Sequence, residues 1–279
     1  YFLKAFTPKN QRIKSCADVL IYSNIIMIAI NVVAINFSTF IGLTLSILCL
    51  VIGLACIWVL LPEAENCRQE GIENLRHRSI IEPLVLLCLF VFVITINSGL
   101  MYQVINPAFE HLTKLTSWYW AVPYIIALLF MRNLSTRVNS ANILYVGMTM
   151  IMGAFISFML LKRNVSDYII VDTLMLGACG IFDLFWWSII GEMLEYNKNP
   201  AKIFGIGLSA NVLGVLCGGA LGMAINSIKL PGANVTVIAL TIVCVTLVML
   251  PSLNRQLVML LKNHTYLTAY DRMSEKQQT

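Results

Sequence analysis

The chain has 279 residues, 58% of them apolar and only 12% charged, with a formal net charge of +5. Soluble domains carry charge on about a quarter of their residues, so this composition excludes a bundle that could cover itself with polar surface. The positive charge sits in short loops between apolar stretches and reads as a topology signal and a contact with anionic lipid, not as a nucleic-acid-binding surface.

Eight apolar stretches follow one another at 17–37, 39–61, 81–104, 115–131, 141–161, 168–190, 204–225 and 235–253. Each is close to the length of about 20 residues that crosses a bilayer as a helix. A helix satisfies its own backbone groups in hydrocarbon, so the expected fold is an all-α, polytopic transmembrane bundle of about eight spans. Residues 1–3 read as the end of an earlier apolar span, and both ends of the chain are expected to be truncation points.

Basic residues alternate between the loops. Lys4, Lys9, Arg12 and Lys14 precede the first stretch, and Arg68, Arg76 and Arg78 follow the second. Arg132, Arg137, Lys198, Lys202, Arg255, Lys262, Arg272 and Lys276 fall on the same side. The opposite side has only Lys114, Lys162, Arg163 and Lys229. The positive-inside rule makes the first side cytoplasmic and the protein a multi-pass component of the inner or plasma membrane.

Two function classes find no support. The eight cysteines lie within stretches or on the cytoplasmic side, without a CxxC pair or a Cys/His cluster. They read as small apolar packing residues, and no disulfide framework, metal or cofactor is expected. His77, His111 and His264 are isolated, and no nucleophile–base pair stands out, so an enzyme is not expected.

The segment 62–80 is the longest and most charged internal loop, with Glu63, Glu65, Arg68, Glu70, Glu73, Arg76, His77 and Arg78. Ser79-Ile-Ile-Glu82 closes it as a capping box for the third helix. With two spans before this loop and six after, the chain resembles the major facilitator superfamily, whose two six-helix halves flank a long charged cytoplasmic loop. The resemblance divides the chain into the end of an N-terminal half (1–61), the inter-half loop (62–80), a complete C-terminal half (81–253) and a cytoplasmic tail (254–279). It implies that roughly four helices lie upstream.

At 135–141 Arg137 matches the arginine of the family's G-x-x-x-D-R-x-G-R-R loop. Thr136, Asn139, Ser140 and Ala141 replace its acid, glycine and basic pair, which removes the charge pairs that help such loops hold two conformations. The loop 191–205, with Glu192, Glu195, Pro200 and Lys202, also resembles the family.

A narrower resemblance is carried by Asp183-Leu-Phe-Trp-Trp-Ser-Ile-Ile-Gly-Glu-Met-Leu-Glu195 and Asn199-Pro-Ala-Lys-Ile-Phe-Gly-Ile-Gly-Leu-Ser-Ala-Asn-Val-Leu-Gly214. Both runs look like bacterial proteins in which a facilitator-like bundle precedes a LuxR-type helix-turn-helix domain, and the tail 270–279 is similar to the linker before that domain. The resemblance implies the ligand-sensing membrane part of a transcriptional regulator, with the lipid bilayer and a small molecule as partners. DNA would be reached only through a domain not contained in these residues. The alternative is a secondary transporter coupled to a proton or cation.

Ionisable groups inside spans are the first candidates for ligand contact, because a mid-span Asp costs roughly 2.5–3.5 kcal/mol on insertion scales. Asp172 and Asp183 are eleven residues apart on the sixth stretch and share a helical face. Each can bind a cation, a proton or a basic group, or simply bond to a neighbouring helix. Trp186 and Trp187 follow Asp183 closely and offer either a cation–π wall or an interfacial anchor.

Asn24 and Asn31 share a face of the first stretch. Asn97, Tyr102 and Gln103 lie in the third and Tyr124 in the fourth. Asn97, Gln103 and Tyr124 are expected to line a central cavity or to bond between helices, and Trp118-Tyr119-Trp120 to form an outer aromatic belt. Gly214, Gly218 and Gly222 form a stripe for close helix approach, either as packing or as a sliding surface.

Overall fold

The computed structural model describes Phe2, residues 6–7, 11–71, 81–133, 140–194, 200–227 and 232–260. Among these residues there is no strand. The backbone runs through α1 (Arg12–Asn36), α2 (Thr39–Gly71), α3 (Ile81–Leu100), α4 (Ala121–Arg132), α5 (Ser140–Leu160), α6 (Val165–Met193), α7 (Pro200–Ser227) and α8 (Gly232–Leu260). Short helical turns at Glu110–Leu112 and Thr113–Thr116 lead into α4. Seven of the helices are long and apolar enough to cross a membrane.

The exception corrects the eight-span expectation. In place of the stretch 115–131 stands α4, a helix of 12 residues, about 18 Å long against a hydrocarbon core of about 30 Å. Pro123 is the cause. It has no N–H for the Tyr119 carbonyl and its ring excludes the α-helical bond there. That carbonyl takes the Val122 N–H at 2.9 Å instead, in a tighter turn.

Pro107 acts similarly at the end of α3. Beyond Leu100 the helix widens into a π turn at Met101–Ile105, where the Asn106 N–H bonds the Met101 carbonyl, and closes with Asn106–Ala108. Pro107 cannot donate to the Gln103 carbonyl. Asn226 of α7 does so through Nδ2 at 2.9 Å.

Residues 62–71 of the expected inter-half loop continue α2. Ser79 of the expected capping box, Arg137 and the tail 261–279 lie outside the described residues, whereas Glu82 stands in the first turn of α3.

Packing follows the apolar surfaces. α3 lies along α7 and α8, α5 against α6 and α8, and α4 between α6 and α1. α2 leans chiefly on α1 and turns Leu50, Leu54 and Trp58 outward. α6 is the most buried helix. Phe90 of α3 meets Phe182 and Phe185 of α6 edge-on or tilted, with centroids 6.3 and 6.0 Å away, as aromatic quadrupoles favour.

Glycines set the α3–α7 contact. A Cβ on Gly214 would strike the Phe92 carbonyl, one on Gly218 the Ile96 carbonyl, and one on Gly222 the Gln103 Cβ. Gly99 answers from α3, where a Cβ would strike the Val215 carbonyl. Backbones therefore approach more closely than any side chain would allow. Many span hydroxyls, such as those of Thr44, Thr149 and Thr246, are satisfied by the carbonyl four residues earlier on their own helix.

Candidate functional site

Two adjoining chambers lie inside the bundle, the smaller walled by α1 and α3–α7 and the larger by α1, α6 and the segment 101–120. The smaller, about 230 Å³, is bordered by Asn24, Ser98, Tyr124, Cys179, Asp183 and Asn211 among others. The larger, about 630 Å³, is bordered by Tyr102, Glu110, Trp120, Tyr168 and Asp172. Met27, Met101, Tyr102, Trp120 and Leu176 belong to both walls. Exposed Asn106, Pro107, Glu110 and Thr113 carry the larger chamber to the surface of the bundle.

Asp183 is held from two sides. The Tyr124 hydroxyl of α4 donates to Oδ2 at 2.8 Å, and Trp186 Nε1 donates to Oδ1 at 3.1 Å. Trp186 is buried, follows Asp183 by three residues, and so reaches it from the same helical face. Each carboxylate oxygen thus accepts a bond from protein, and the group still borders the small chamber. Hydrogen bonds to charged groups contribute roughly 1.5–3 kcal/mol each, enough to offset much of the insertion cost of an Asp.

Asp172 is different. It is 5% exposed, yet its Oδ2 has no hydrogen-bond partner. The Tyr168 hydroxyl, one turn earlier, is the side-chain donor beside the carboxyl group.

The other sequence candidates separate into chamber and packing positions. Tyr124 borders the small chamber. Asn97 is fully buried in α3 and borders neither chamber; its Nδ2 reaches only the Ile94 carbonyl, at 3.4 Å. Gln103 packs on Gly222 and borders neither. Asn31 donates to the Ser117 carbonyl at 2.9 Å and lines a groove between α1 and α2. Asn24 bonds its own helix at the Leu20 carbonyl but also borders the small chamber. Trp187 stacks between Trp186 and Phe204, away from both chambers. Lys202 is exposed in the first turn of α7, so it stands on a helix and not in a loop.

Several chamber residues had no assignment from the sequence. Glu110 follows Pro107 in a stretch that reads as a plain loop. Trp120, expected in an aromatic belt, is half-buried and borders both chambers as well as the groove between α1 and α2, whereas its neighbour Trp118 is well exposed. The π turn that places Tyr102 there was signalled by Pro107 alone.

The bundle is tied together at the end away from Glu110. Arg132 at the end of α4 grips Asp18 of α1 with two bonds, Nε to Oδ1 at 2.5 Å and Nη2 to Oδ2 at 3.1 Å. Buried Arg12 of α1 donates to the Gly191 carbonyl of α6 at 3.4 Å. Among the described residues, no group of three His, Cys, Asp or Glu side chains is placed to hold a metal. No family model, curated protein or solved structure matches this chain.

Proposed function

We propose that the bundle is a membrane-embedded module that binds a small solute in the paired chambers and responds by changing its helix packing. The observation that carries this reading is the placement of Asp183. A carboxylate at mid-helix, braced by Tyr124 and Trp186, borders a chamber inside an otherwise apolar bundle, and intramembrane ionisable groups mark ligand and ion paths.

In this reading the module is the sensing part of a bacterial membrane regulator of the facilitator-like, LuxR-linked kind that the runs at 183–195 and 199–214 resemble. The end held by Arg12 and Arg132 faces the cytoplasm. The solute enters near Glu110, and helix displacement reaches a domain outside these residues. The test is thermal unfolding of the purified chain with a panel of small cationic, neutral and anionic solutes. At least one is expected to stabilise the protein, and Asp183→Asn to abolish that stabilisation. No stabilisation by any member contradicts the reading.

One observation favours a secondary transporter instead. The chambers reach the surface at Glu110, while the Asp18–Arg132 pair and Arg12 tie the opposite end. This one-sided access is what a bundle alternating between two openings needs. Flux of the stabilising solute into proteoliposomes, lost in Asp183→Asn, supports transport; binding without flux supports sensing.

A further inference from the structure

The larger chamber has its own chemistry, distinct from the braced Asp183 below it. Among the described residues, its wall contains two carboxylates, Asp172 and Glu110, and no Lys, Arg or His. The charged groups that line it are both acidic. Asp172 borders this space while only 5% exposed, and its Oδ2 is buried without a hydrogen-bond partner. A buried acceptor left unmade costs free energy that a donor on a ligand would recover.

The remaining wall is apolar and aromatic. Met27, Met101 and Leu176 supply adaptable apolar surface, and Tyr102, Trp120 and Tyr168 supply ring faces and edges. A bare metal ion would find too few oxygen ligands in so wide a space. A cation with an apolar body finds both a counter-ion and cation–π partners. The volume of about 630 Å³ lies within the range of small-molecule sites.

We infer that the larger chamber binds an amphipathic organic ammonium ion, with Asp172 Oδ2 accepting an N–H from the charged nitrogen, the Tyr102–Trp120–Tyr168 wall holding the apolar body, and Glu110 drawing the cation in at the rim. This rests on the solute-binding reading and adds the class of solute. An N–H donor strengthens binding, because the acceptor oxygen is buried and a fully alkylated nitrogen has no hydrogen to offer it.

The test is equilibrium binding to the full chain in lipid nanodiscs, corrected for empty nanodiscs. The probes are naphthylmethylammonium, its N,N,N-trimethyl analogue and naphthylacetate. The primary ammonium is expected to bind saturably, the trimethyl analogue about tenfold more weakly, consistent with the loss of one charge-assisted hydrogen bond, and the carboxylate not at all. Asp172→Asn is expected to weaken ammonium binding by about tenfold or more, Asp172→Glu to retain most of it, and Glu110→Gln to lower it less than Asp172→Asn.

Equal binding of ammonium and carboxylate, or full ammonium affinity in an Asp172→Asn protein with unchanged thermal unfolding, overturns the assignment. Should a neutral or anionic member of the solute panel stabilise the protein through Asp183 while naphthylmethylammonium fails to bind, the cation assignment falls and the solute-binding reading stands.

Discussion

The Tyr124 hydroxyl reaches across from α4 to α6 and donates a 2.8 Å hydrogen bond to Oδ2 of Asp183, joining the shortest of the eight helices to the most buried one. Pro123 shortens α4, and the residue beside it supplies the contact. The helix break and the carboxylate are therefore parts of one arrangement.

That contact is measurable as a coupling. Tyr124→Phe removes the donor without changing the packed ring, and Asp183→Ala removes the acceptor. Each is expected to lower stability, and the double variant to lose less than the sum. The coupling energy should be about 1 kcal/mol, the upper part of the range for side-chain bonds between membrane helices. Additive losses in a double-mutant cycle of unfolding free energies contradict it.

Glycine substitutions should divide by neighbour. Gly218→Ala drives a methyl group into the Ile96 carbonyl, a backbone atom that cannot step aside, and is expected to cost about 1–3 kcal/mol. Gly205→Ala meets nothing within 4 Å and is expected to be neutral or stabilising by up to about 1 kcal/mol, because Ala is the better helix former. Thermal unfolding in one detergent compares the two directly.

Asn226 and Pro107 should be coupled with a definite sign. In the native protein Asn226→Ala leaves the Gln103 carbonyl without the donor that replaces the missing Pro107 N–H, a loss of about 1 kcal/mol. In a Pro107→Ala background the backbone supplies that donor, and Asn226→Ala is expected to cost measurably less. An equal cost in both backgrounds, read from unfolding curves, rejects this account of the π turn.

The Asp18–Arg132 pair should control access at its end of the bundle. Cys16, two residues from Asp18, is buried. With the other seven cysteines replaced, Asp18→Asn is expected to raise the labelling rate of Cys16 by a small maleimide. The exchanged pair Asp18→Arg with Arg132→Asp should restore slow labelling. Identical rates in all three proteins contradict a closing role.

Much of the architecture is legible in residue order because bilayer thickness and backbone satisfaction leave few choices for a 20-residue apolar run. The short α4 was harder to foresee. Pro123 lies inside an apolar stretch, and apolar length alone does not register a missing N–H. Asp172 and Asp183 stand out in sequence as charges in hydrocarbon, but their difference does not. Only the placement of Tyr124 and Trp186 against Asp183 separates a carboxyl group bonded at both oxygens from one, Asp172, with an oxygen left unbonded. Asn97 and Gln103 were drawn in by polarity, whereas helical phase turned them into the α3 packing surface and gave Tyr102 the chamber. Gly99 was invisible as the partner of the α7 stripe, because pairing between distant helices leaves no local pattern.

The most direct measurement is thiol accessibility of single cysteines in membrane vesicles to a charged, water-soluble methanethiosulfonate, with the native cysteines replaced. Ser98→Cys and Asn211→Cys border the small chamber, whereas Val85→Cys and Val248→Cys stand on outward apolar surface that is 61% and 80% exposed. Reaction at the first two, and silence at the second two, is the result expected of a bundle that faces lipid outside and admits water and solute within. Rapid labelling at Val85 and Val248 with none at Ser98 and Asn211 would contradict it.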